Sequence, residues 1–105
     1  MSLGKERRSF SRRIALLYHY LEFLGIDYAK DQGKRCKECP VGHTRSTHKV
    51  GLAEDILFYG PNGEYPHPDA HNLYVKAHDF WDVIGGAPRI ENDLNHFSNE
   101  WNGVR

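Results

Sequence analysis

Two short segments of this chain hold the residue types that metal-assisted hydrolysis needs. The first runs Ser46-Thr47-His48-Lys49-Val50-Gly51-Leu52-Ala53-Glu54-Asp55, and the second is Asp93-Leu94-Asn95-His96. A catalytic zinc takes about three protein ligands from histidine and carboxylate, keeps one position open for water, and lowers that water's pKa to about 7. His48 and Asp55 offer two such ligands. They stand seven positions apart, an odd number that on one straight strand would send them to opposite faces. They converge only if the backbone turns between them, which Gly51 permits, and Ala53 is small enough to let a strand pass close behind the metal. The third ligand has to come from elsewhere, and His96 is the best candidate because Asp93 precedes it by three. Asp93 is then placed to act on water held by the metal without being a ligand itself, taking its proton and returning it to a leaving amine. Arg45 is a candidate for helping the metal stabilise an oxyanion. Ser46 reads as a buttress, because a serine nucleophile needs a histidine base and a histidine on zinc is not free to serve.

The same residues carry a resemblance. Ser46, His48, Gly51, Ala53 and Asp55 match every defined position of S-x-H-x-x-G-x-A-x-D, the signature of the M15 family of zinc metallopeptidases, and Asp93-x-x-His96-Phe97 resembles their second motif. The likeness runs from about Arg45 to Phe97. It implies the fold shared by D-Ala-D-Ala carboxypeptidases and the hedgehog signalling domain, with zinc on His48, Asp55 and His96 and with Asp93 catalytic. It also implies peptidoglycan stem peptide as substrate, cut at L-Ala-D-Glu as phage endolysins do or at the D,D bond as the carboxypeptidases do. Aspartate rather than glutamate at position 93 leans toward the phage endopeptidases. Arg45 stands closer to its serine than the family's substrate-clamping arginine, and the Cys36-x-x-Cys39 segment is not part of the general pattern.

Other residues offer competing chemistry. Cys36 and Cys39, with His43, make a three-ligand set for a structural metal, against reduced thiols in a turn. His71 and His78 fall at i, i+7 on an expected helix and form a second metal alternative; otherwise His71 reads as a rim residue and His78 as surface or core. Trp81, Trp101, Tyr59 and Tyr74 read as core and cleft walls rather than a sugar-stacking platform. Charge is balanced overall but not along the chain: eleven basic and five acidic residues through Lys49, three and nine after it. Lys5, Arg7, Arg8, Arg12 and Arg13 permit a nucleic-acid reading, set against the plainer one of a solvated helix face. No nucleic-acid partner is expected.

These groups need elements to position them. Ile14, Leu17, Leu21 and Leu24 recur at helical spacing and predict a helix over Phe10 to Leu24, capped by Ser9 or Ser11 and ended by Gly25. Met1-Ser2-Leu3 is given no structural weight. Ile26 to Tyr28 predicts a short strand, Asp31-Gln32-Gly33-Lys34 a turn, and Cys36 to Thr47 a loop. Ala53 to Tyr59, bounded by Gly60-Pro61-Asn62-Gly63, predicts a strand. Leu73, Ala77, Phe80, Trp81 and Ile84 predict a helix from Asp69 to Val83 with Asp69 as cap, and His96-Phe97 falls in a last short strand. The sum is an α+β fold, a small antiparallel sheet flanked by helices in one domain of 105 residues.

No run of eighteen apolar residues and no secretion signal is visible, so neither a membrane span nor a membrane partner is expected. With the resemblance, this implies synthesis in the cytoplasm and action at the cell wall, encoded by a phage or prophage. A monomer is expected. The rival from another class is a non-catalytic phage structural or wall-binding protein that keeps the fold.

Overall fold

The structure, a computed structural model, describes residues 2–31 and 47–105, the side chains of His48 and Lys49 aside. The loop expected from Cys36 onward, with Cys36, Cys39 and His43, lies outside the described residues up to Ser46, as does the turn at 32–34. Along the chain come α1 (Leu3–Leu24), β1 (Asp27–Lys30), a 3-10 turn (Thr47–Val50), β2 (Ala53–Tyr59), α2 (Ala70–Val83) and β3 (His96–Ser98). The strands form one antiparallel sheet in the order β1-β2-β3. This is the α+β class that the periodicities predict.

Both helices cover the same face of the sheet. Tyr18 of α1 stacks on Tyr28 of β1 at 5.4 Å, Tyr74 of α2 stacks on Phe58 of β2 at 4.1 Å, and Trp81 meets Phe97 of β3 edge-on. Leu17, Leu21, Ile56, Ala77 and Trp81 are fully buried in the core between them. Side chains alternate along a strand, so Asp55, Leu57 and Tyr59, together with His96 and Ser98, belong to the opposite face. The core therefore takes one face and leaves the other to the candidate ligands.

Helix α1 begins at Leu3 and not at Phe10, and Ser2, not Ser9 or Ser11, caps it by accepting a bond from the Lys5 amide at 3.1 Å. Leu3 packs against the core, so both residues count toward the fold after all. The added turns have no apolar period; they are held by distant partners. Arg7 Nε donates to the Val50 carbonyl at 2.7 Å, and Asn99 Nδ2 donates to Glu6 Oε1 at 3.0 Å. Further along, Arg13 Nε donates to the Ile84 carbonyl at 3.0 Å, joining the helices. Gly25 ends α1 as expected, in the left-handed region at φ 73°, with the Ile26 amide donating back to Leu21.

Strand β2 has the expected bounds and β1 lies a little later than expected. Asp69 stands at the N-cap of α2, but its side chain makes no cap bond; its Oδ1 accepts from Asn72 Nδ2 instead. Past α2, Gly86 passes so near the Trp81 indole that a Cβ there would collide with it. That indole donates to the Ser98 carbonyl at 3.0 Å, fastening α2 to β3.

Where β3 stops, Tyr74 takes over the edge of β2. Its hydroxyl accepts from the Phe58 amide at 3.1 Å and donates to the Ile56 carbonyl at 2.6 Å. Burial pushes the Tyr74 phenol up to about 12, so it remains a donor across the physiological range. Tyr74→Phe keeps the ring stack and orphans two main-chain groups next to Asp55. It is expected to cost about 2 kcal/mol, read as a lowered denaturant midpoint; an unchanged midpoint would show that water replaces the hydroxyl.

Candidate metal site

The turn at Gly51 is present. The 3-10 turn from Thr47 closes with the Leu52 amide donating to the Thr47 carbonyl at 2.8 Å, and Gly51 sits at φ 76°, where a side chain is disfavoured. Arg7 steadies this corner through Val50. The chain then enters β2, and Asp55 comes to lie directly across from His96 of β3. The neighbouring cross-strand pair on the same face is Ala53 and Ser98, both small, which keeps bulk away from the ligands.

Asp93 joins through a tight turn. The His96 amide donates to the Asp93 carbonyl at 3.1 Å, closing Asp93-Leu94-Asn95-His96. Its next two carbonyls are also taken: Leu94 O by His78 Nε2 at 2.7 Å, and Asn95 O by the Ile56 amide at 2.9 Å. The segment with the third expected ligand and the expected base is thus fixed by its own turn, by α2 and by β2.

The result is a convergent donor set. One ligand atom each of Asp55, Asp93 and His96 lies within 4.8 Å of the others, the group among the described residues that could hold a metal ion. His96 Nδ1 is 3.3 Å from Asp55 Oδ1 and 4.0 Å from Asp93 Oδ2. Two atoms bound tetrahedrally at about 2.0–2.1 Å stand about 3.3–3.4 Å apart, so the shorter distance matches one edge of such a site. Asp93 Oδ2 lies beyond that edge length from His96 Nδ1 but within the same three-residue group. Exposure divides the group the same way: the Asp55 and His96 side chains are 11% and 7% exposed, that of Asp93 43%.

Of the other residues expected here, Arg45 and Ser46 lie outside the described residues, and so does the side chain of His48, whose backbone belongs to the turn before Gly51. The His71 and His78 alternative does not form: His71 is exposed, whereas His78 is fully buried and turned to Leu94. Trp81 and Tyr74 are core residues, and Trp101 packs against the core. For His78, expected at either surface or core, the spacing of α2 holds the answer. Tyr74, Ala77, His78 and Trp81 stand at i, i+3, i+4 and i+7, and these four are the buried residues of the helix. Burial holds the His78 pKa below the ordinary histidine range, against the opposing pull of its bond to Leu94.

No protein-family model, curated protein or solved structure matches the chain. Its class therefore rests on fold and site: a small α+β protein with an Asp/Asp/His group able to hold a metal ion. No helix among the described residues is long and apolar enough to cross a membrane.

Proposed function

We propose that the protein is a zinc-dependent peptidase acting on the stem peptides of peptidoglycan, with Asp55, His96 and His48 as the zinc ligands and Asp93 as general base. One observation carries the metal and the division of labour: the Asp55–His96 pair at ligand spacing, with the more exposed Asp93 carboxylate set back from it. Zinc in such a set supplies a Lewis acid and an activated water. With the metal bound, Asp93 would serve as the base that takes a proton from water and returns it to the departing amine, and its exposure would leave it open to both. One imidazole and one carboxylate, with the imidazole of His48 assigned as third ligand, make a donor combination that suits zinc. Arg45 is assigned to the developing oxyanion and Ser46 to support of the ligands.

The substrate class rests on the likeness of both motifs to the M15 peptidases, and so do cell-wall action and a phage or prophage origin. Protein reconstituted with zinc is expected to release new amino groups from purified peptidoglycan. Release should stop on chelation and return when zinc is restored. Release indifferent to chelation would contradict the proposal, and zinc-loaded protein that releases nothing would leave the non-catalytic wall-binding or phage structural role.

A further inference from the structure

We infer that His78 of α2 is a positioning residue for the metal site, holding the Asp93–His96 turn in place through its hydrogen bond to the Leu94 carbonyl. The inference rests on the proposed zinc site. A fully buried imidazole is a costly choice for a core position that an apolar side chain would fill, unless its polar atoms have work to do. Here a single bond accounts for it. Nε2 lies 2.7 Å from Leu94 O, so Nε2 carries the proton and donates, while Nδ1 has no hydrogen-bond partner among the described residues. The ring lies flat against Phe97, centroids 4.1 Å apart and planes 9° from parallel, which fixes the direction in which the N–H points.

Its target is the carbonyl between the two functional residues. Asp93 and His96 are the first and last residues of the turn, so rotation of the Leu94 peptide would move both relative to Asp55. The bond from the Ile56 amide to Asn95 O secures the β2 side of the turn, and His78 supplies the hydrogen bond to Leu94 O from the helix layer, beside the packing of the Leu94 side chain on the core. Partners behind the ligands that set their orientation commonly govern metal affinity as well.

His78→Phe keeps the stack on Phe97 and removes the donor; His78→Gln returns an amide N–H near the place of Nε2; His78→Asn puts one nearer the place of Nδ1. The readouts are zinc affinity, by competition with a chromophoric chelator, and the absorption spectrum of the cobalt(II)-substituted protein, on variants shown to be folded by circular dichroism. His78→Phe is expected to bind zinc at least about tenfold more weakly and to alter the cobalt spectrum, and His78→Gln to recover both. If His78→Phe does not fold, Gln against Asn decides, with only Gln retaining affinity. Folded His78→Phe with wild-type affinity and spectrum, or Gln and Asn alike, would reduce His78 to a core filler and overturn the inference alone. A wild type that takes up no zinc would overturn the metal reading and the inference with it.

Discussion

Asp93→Asn is expected to keep a stoichiometric zinc and to lose about a thousandfold in kcat, the scale on which a positioned general base contributes. The substitution preserves shape and removes only the capacity to accept a proton. Zinc should stay because the pair at ligand spacing, Asp55 and His96, is untouched, and Asp93 Oδ2 lies 4.0 Å from His96 Nδ1. Metal analysis and single-turnover rates on the same preparation check both halves. Loss of the zinc would make Asp93 a ligand, and an unchanged rate would place the base elsewhere.

Asp55→Asn is expected to do the reverse: to lose the zinc, and activity with it down to background. A carboxamide has neither the charge nor the basicity that a divalent cation draws from a carboxylate. A second readout is independent of catalysis. Ligand that binds only the folded state stabilises it by about 4 kcal/mol at a thousand times its Kd, so zinc should raise the melting temperature of wild type and leave Asp55→Asn unmoved. His71→Ala, at an exposed position of α2, should behave as wild type in both assays. A zinc-dependent rise that survives in Asp55→Asn would place the metal at other residues.

The two substitutions separate holding a metal from moving a proton, a division that the order and spacing of the residues already suggest. Spacing alone shows that His48 and Asp55 need a turn at Gly51, and that turn is there at φ 76°. Strand β2 reads cleanly because an apolar run stops at Gly60-Pro61-Asn62-Gly63, and α2 because its apolar residues keep helical spacing. The start of α1 is hidden from such reading because nothing local makes it. Its first turns have no apolar stripe and depend on Glu6 reaching Asn99 and Arg7 reaching Val50, partners that only the tertiary fold brings near. The same holds for Tyr74 capping the edge of β2 and for His78 bracing the Asp93–His96 turn. Both are polar tips on buried rings, and a period count sees the ring and not the bond. The cross-strand pairing of Asp55 with His96 escapes the sequence for a related reason, since register follows from which face the helices cover.

Identity of the reaction stands on the motifs, and it is open to direct test. A defined muropeptide incubated with zinc-reconstituted wild type, then analysed by mass spectrometry, should give two fragments whose masses sum to the substrate plus one water, split at an amide bond within the stem peptide. The chelated protein should leave the muropeptide whole. Intact muropeptide after incubation with protein that demonstrably carries zinc would contradict the account.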